Sequence, residues 1–534
     1  MGVSIQIRIA NSVTRNEWEK VYEESLQLIK AFPLAEMRYE ECRGIETLCL
    51  VQTQERIDNR GRKYWKADGD YINLHTVESY ELYRDMFNEN EVGSDDVDVL
   101  LSFVSLYLDE AKYDKWENNS FTIWGNKTQG ESYHIYLLAI ACLIEFRLGK
   151  KALVHGDITR GQCKHAVELA NKYLSNPIDI PDRCDLERLR ERIFDLPIGE
   201  KEKLILFDEM YLGTKDARYG EYIRSNFFDR ACEEYWKNRF DSYEIGTYGF
   251  DENIKKYLLW GFDLSKLCKL VDYGDDIEQY KKFIRRIMDA KLHIKDKNCK
   301  DVLEIDQEEM RPYTIDTLLA EFVFMGAKNS KVDRYIPIEE LRKSLAEGLA
   351  EKCDVNAIID EYLLEEEQKQ DIDFLDEKQE YDIKKGFKQS ASELLEKMLY
   401  EENEKYTKLY ERYDIVFYEE LIRYKKSNSI EPHLLVALKK SFIFYNSLVE
   451  EENFKELMKQ PWRMRCELLT KYSGRFLIRD KDWDKIFNDI EENEMSFSRY
   501  YPMVRVELSS KDLVYMVIAF VLNDDLYNYC IENI

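Results

Sequence analysis

The 534-residue chain is poor in the residues that interrupt regular structure, with nine prolines and 21 glycines against ordinary usage of about 5% and 7%. That scarcity excludes collagen-like and linker-dominated chains and favours long helices. Histidine is also rare, six in all, and none stands in an H-E-x-x-H pattern. The eleven cysteines contain no C-x-x-C, so no zinc or redox motif is written in the chain, and no metal is expected. An odd, scattered set of this kind reads as reduced thiols packed like small apolar side chains in a cytoplasmic protein.

Long hydrophobic runs are missing as well. "LVYMVIAFVL", Leu513–Leu522, is about half of the roughly 20 residues that cross a bilayer, and predicts a buried helix. The first residues alternate polar and apolar and lack the basic lead and apolar core of a secretory signal. Positive charge is in short supply: 78 Lys plus Arg face 105 Asp plus Glu, a net charge of −27. A general nucleic-acid binder gains most of its affinity from cations that neutralise phosphate, so that class is excluded, as is binding to an anionic membrane. The charge points to a protein partner with a basic surface. No motif calls for a cofactor.

What is present is a foldable chain, 44% hydrophobic, 34% charged and 13% aromatic, with 37 tyrosines. Its length suits about three globular units. The tyrosines are expected half-buried where helices meet, each ring apolar and each hydroxyl needing a partner.

Val3, Ile5, Ile7 and Ile9 alternate with polar residues and predict a strand. Thr14 and Glu17 form a capping-box pair that opens a helix ending before Pro33. Strands are expected from Ile45 and from Arg62, and helices over 77–87, 96–108 and the apolar "SYHIYLLAIACLIEFRLG". A short strand, "KALVH", follows. Beyond Pro177 and Pro181 the pattern is helix after helix, including 218–238 read as one helix, 275–293 and 338–349. "YYPMVRVEL", 500–508, alternates weakly and suggests a lone strand.

The fold class expected is therefore α+β and predominantly α-helical, a small N-terminal mixed α/β unit followed by a large helical array or irregular bundle. The expected divisions are residues 1–175, 176–350, an acidic helical connector over 351–385, and 386–534. Residues 351–380 hold 12 Asp plus Glu against three Lys, which reads as a solvated face or as a docking surface for a basic protein. Conversely, Lys281, Lys282, Arg285 and Arg286 make a basic helix face suited to an acidic partner.

One stretch concentrates chemistry: "VHGDITRGQCKHAVELA", 154–170. Thr159 as N-cap puts Gln162 at the third helical position, completing a capping box, so a helix start explains most of it. Cys163 and His165 lie about 200° apart on that helix and cannot share an ion. What the cap leaves over is a strand, a glycine turn and a helix N-terminus, the geometry that attracts an anion. His155, Asp157, Thr159, Arg160 and Gly161 are the candidate ligand-binding residues, with Arg160 gripping a phosphate or carboxylate and His155 supplying a proton. "ADGDY" offers Asp68 and Asp70 as a weaker cation site or a strand-end turn. No catalytic residue can be named. The function expected is that of a non-catalytic scaffold with extended helical surfaces; the alternative is an enzyme or ligand-binding protein for an anionic small molecule at 155–162.

Overall fold

A computed structural model describes residues 2–85, 97–107, 116, 119–274, 276–299, 306–313, 330–349, 352–368, 421–426, 432–449, 452–505 and 511–534. The fold is α+β and mostly helical. In chain order it begins β1 (Ile5–Ala10), α1 (Arg15–Ala31), β2 (Leu34–Cys42), β3 (Ile45–Gln52), β4 (Arg56–Ile57), β5 (Lys63–Asp70) and β6 (His75–Tyr83). Next come α2 (Leu101–Tyr107), β7 (Ser120–Trp124), α3 (His134–Leu148), β8 (Ala152–Gly156) and α4 (Arg160–Ala170). The helices α5 (Leu186–Phe194), α6 (Glu200–Met210), α7 (Ala217–Asn226), α8 (Asp229–Asp241), α9 (Tyr248–Leu259), α10 (Leu264–Leu270), α11 (Ile277–Asp289), α12 (Ile338–Leu349) and α13 (Val355–Gln368) follow. The last described part holds α14 (Pro432–Ser447), α15 (Glu452–Met458), α16 (Trp462–Thr470), α17 (Ser473–Phe476), α18 (Asp480–Glu492), α19 (Phe497–Tyr500), α20 (Pro502–Arg505), α21 (Lys511–Leu522) and α22 (Asp524–Asn533).

The chain forms two compact units, each assembled from separated stretches: residues 1–21, 86–125 and 137–389 in unit 1, and 22–85, 126–136 and 390–534 in unit 2. Unit 1 holds a three-stranded antiparallel sheet in the order β7-β1-β8. Ile5, Ile7 and Ile9 are fully buried on one face of its central strand, as their period of two requires. Its helices α5 to α13 enclose a core rich in rings: Phe207, Tyr219, Tyr235, Trp236, Phe240, Tyr257 and Trp260 are buried together. Many of these pack edge-on, Trp236 against Trp260 at 5.2 Å and against Tyr257 at 5.1 Å among them. Much of the tyrosine content is thus core.

Unit 2 carries the larger sheet, β3-β2-β5-β4 with β6 on β5, all antiparallel. Residues of β2 and β3 share a core with Leu469, Trp483, Ile486, Phe487 and the apolar α21. The predicted buried helix at the chain's end is α21: Met516 to Val521 are inaccessible. Among the described residues no helix is long and apolar enough to cross a membrane.

Several local expectations change. Residues 75–83 form strand β6, paired along β5 from Tyr64↔Tyr83 to Asp70↔His75, where a helix over 77–87 was expected; ladder hydrogen bonds to a neighbouring strand override the local pattern. Strand β2 escapes notice because Glu36, Arg38, Glu40 and Glu41 interrupt its apolar residues. The expected helix 218–238 is two, α7 and α8, since Phe227 and Phe228 are extended, with φ of −112° and −65°. Residues 497–505 are helical, not a strand. Asp263 caps α10, accepting from Lys266 N at 2.9 Å. The acidic stretch beyond 368 lies outside the described residues.

Candidate functional site

The strand–turn–helix at 152–170 is built as its sequence reads. Strand β8 pairs with β1 and ends at Gly156, whose φ of +111° and contact with Ser4, 2.6 Å from a built Cβ to the carbonyl oxygen, only glycine satisfies. Asp157 ties the turn to the first strand: its Oδ2 accepts from Ser4 N at 2.8 Å and Ser4 Oγ at 3.0 Å. Thr159 is the N-cap, and the capping box is complete: Gln162 N donates to Thr159 Oγ1 at 3.1 Å, and Thr159 N donates to Gln162 Oε1 at 3.2 Å.

The first turn of α4 is not open to solvent. Residues 307–311 of the same unit lie across it. Gly161 N donates to the Gln307 carbonyl at 2.9 Å, Thr159 Oγ1 to the Glu309 carbonyl at 2.9 Å, and Gln162 Nε2 to the Arg311 carbonyl at 2.9 Å. Arg160 completes the clasp, holding the Glu308 carboxylate at 2.7 Å while its Nε donates to the Cys184 carbonyl at 2.9 Å. A Cβ on Gly161 would stand 2.2 Å from the Glu308 oxygen. The close approach that Gly161 permits is therefore made by a peptide of this chain.

His155 does not join that clasp. Its ring packs edge-on against Phe103 at 4.9 Å, and burial, with Arg183 and Arg8 nearby, pushes its imidazole down to about 3. That shift favours the neutral imidazole, a poor general acid. Beneath the helix start, the thiols of Cys142, Cys163 and Cys184 are buried together, and contact with Cys142 and burial push the Cys163 thiol well up. All eleven cysteines are free and nine are buried.

Other candidates are likewise engaged from within. In unit 2, Asp70 closes a strand-end turn, accepting from Ile72 N at 2.7 Å, Asn73 N at 2.9 Å and Ser132 Oγ at 2.6 Å. Asp68 accepts from Met37 N at 2.7 Å and pairs with Lys66 at 3.1 Å. In unit 1, the basic face of α11 meets the start of the acidic connector: Lys281 pairs with Glu361 at 2.9 Å and Arg285 with Glu365 at 2.6 Å.

Two buried carboxylates went unremarked in the sequence reading. Asp208, inaccessible on α6, accepts from Tyr219 at 3.1 Å and Tyr235 at 2.7 Å, and Lys215, Lys256 and Arg239 each stand 3.2 Å away. Burial alone would raise its pKa, but the three cations and Tyr235 outweigh it and hold the carboxyl far below the usual range. Glu145, on α3, accepts from Val154 N at 2.6 Å, 4.0 Å from Arg192. There burial dominates and pushes the carboxyl up to about 7. Both had a legible signal, an acid on an apolar stripe: Asp208 follows Leu204 and Phe207 at helical spacing, and Glu145 interrupts "LLAIACLI" and "F".

Comparison with protein-family models, with curated proteins and with solved structures found no match.

Proposed function

We propose that this chain is a cytosolic, non-catalytic interaction protein that works through the outer surfaces of its helical units. The observation that carries the reading is the set of large apolar side chains left in water on or beside the helices of unit 1: Phe228, Ile277 and Leu364 are each at least 60% exposed. Exposed aromatic and aliphatic residues on a rigid body are the usual anchors of a protein interface. The net charge of −27 selects a partner with a basic surface and speeds its approach. Unpaired thiols, mostly buried, agree with a reducing compartment.

The alternative, an anionic ligand held by His155, Asp157, Thr159, Arg160 and Gly161, requires such a ligand to displace Glu308 from Arg160 and Gln307 from Gly161. A photo-crosslinking side chain placed at 228 or 277, compared with one at the 89%-exposed Arg230, separates the two. The interaction reading expects one basic protein to be captured at 228 or 277, less at high salt, and lost with Ile277→Asp or Phe228→Asp introduced at the other position. Capture no better than at 230, together with a thermal shift by a dicarboxylate or sugar phosphate that vanishes in Arg160→Ala, would reverse it.

A further inference from the structure

Two arginines from distant parts of unit 1 lie on the last carbonyls of α9. Arg224, near the end of α7, donates from Nε to the Trp260 carbonyl at 3.0 Å. Arg334 donates to the Leu258 carbonyl at 3.2 Å and the Phe262 carbonyl at 2.8 Å. Gly261, with φ of +76°, turns the chain between them, and a Cβ there would come within 3.0 Å of the Arg224 guanidinium. Each guanidinium offers five N–H donors, and these contacts use few of them. Among the described residues neither arginine forms an ion pair.

A simple helix cap accounts for one such arginine, because the negative end of a helix dipole balances about half a charge. It does not account for two. Their charges oppose each other: burial and Arg224 make the Arg334 guanidinium easier to deprotonate, and a bound anion would relieve that repulsion. Both arginines border a cavity of about 270 Å³, which Trp236, Tyr257 and Phe262 also line. The carboxylates around it are partly engaged: Asp263 caps α10 and, with Glu340, offsets part of the repulsion felt by Arg334, and Glu233 faces Lys266 at 3.5 Å. Asp229, in the first turn of α8, also lines it, and its charge favours a ligand with a single anionic head.

We infer that this cavity binds a small organic anion, its carboxylate or phosphate held by Arg224 and Arg334 and its apolar body lying against Phe262, Trp236 and Tyr257. The volume is just below the roughly 300 to 1,000 Å³ of most small-molecule pockets, which limits the body to about one ring. This inference stands apart from the protein-interaction reading, and either can fail without the other.

The full chain is titrated with phenylacetate, phenyl phosphate, inorganic phosphate and benzyl alcohol by ligand-observed NMR. The expected result is binding of at least one aromatic anion, at least tenfold weaker in Arg224→Gln and unchanged in Arg230→Gln. Tighter binding of phenylacetate assigns a carboxylate ligand, and tighter binding of phenyl phosphate a phosphate ester. Because Arg334→Gln endangers the α9 cap, a second measurement uses the unaltered protein: the same anion should slow phenylglyoxal modification of Arg224 at least threefold. Equal binding of benzyl alcohol or of inorganic phosphate, unaltered affinity in Arg224→Gln, or no binding of either aromatic anion would overturn the inference.

Discussion

The start of α4 and the end of α9 both bring arginine to a helix terminus, and they differ in what meets it. At α4 the chain supplies the anion itself, with Glu308 on Arg160 and three carbonyls of 307–311 on the first turn. At α9 the two guanidinium groups bond to carbonyls and, among the described residues, to no carboxylate, and they face a cavity. A glycine allows close approach in both places. What separates a closed polar site from an open one is thus electrostatic completeness, which is a property of the assembled unit and not of the motif. If the comparison holds, disturbing closed sites costs stability, whereas disturbing the open one costs ligand.

The closed site with the most at stake is Asp208. Asp208→Asn leaves Lys215, Lys256 and Arg239 around a neutral group, and breaking a buried pair in this way costs about 3 to 5 kcal/mol. The three cations are 27% to 29% exposed, so water recovers part of that and a value of about 3 kcal/mol is expected. The folded-state carboxyl is depressed, so its contribution is present above the unfolded value of 3.8 and is lost only in acid. The urea-unfolding difference between the two proteins should therefore be constant from pH 5 to 8. A variant as stable as the parent would show that the cations do not depend on Asp208.

Glu145 gives the opposite pH dependence. Its carboxyl is raised from 4.5 to about 7, so the folded state holds the proton more tightly and the stabilisation is full below 4.5. It is lost as pH rises through about 7. Relative to Glu145→Gln, the parent should lose up to about 3 kcal/mol between pH 5 and 8, at roughly 1.4 kcal/mol per pKa unit. Glutamine keeps an acceptor for Val154 N–H and cannot ionise, so its own curve lacks this slope. Parallel urea-unfolding curves at the two pH values would mean that Arg192, 4.0 Å away, keeps Glu145 charged throughout.

How much of this was legible depends on distance along the chain. The capping boxes at Thr14 and Thr159, strands β1 and β8, the apolar α3 and the buried α21 could be read because each is decided by residues a few positions apart. The occupant of the α4 start could not, since Glu308 is 148 residues from Arg160. The basic face of α11 and the acidic run of α13 were each visible as a patch awaiting a partner. That Arg285 and Glu365, 80 residues apart, answer each other is decided by the packing of α11 on α13. Arg224 and Arg334 left no mark at all, because a guanidinium without a carboxylate looks in sequence like any other. The passage of the chain from unit 1 into unit 2 at residue 22 falls inside α1, where the helical pattern runs on unbroken.

The smallest effect tests the closed site where the comparison began. Gly161→Ala adds one methyl group whose nearest neighbours are backbone: the Glu308 carbonyl at 2.2 Å and the Glu309 oxygen at 2.8 Å. Backbone cannot rotate away as a side chain can, so segment 307–311 must lift from α4 and lose some of its three hydrogen bonds. Overpacking of this kind costs about 1 to 3 kcal/mol. The helix itself should survive, because Thr159 and Gln162 cap it independently of the segment. The distinguishing signature is therefore local: in hydrogen exchange, the Gly161 amide, which donates to Gln307, loses protection, while amides in the last turn of α4 keep theirs. The same substitution also exposes Arg160 and the helix N-terminus. If a dicarboxylate then binds Gly161→Ala but not the parent, the segment is a displaceable occupant of an anion site; if it binds neither, the contact is structural and α4 begins there for the sake of the fold.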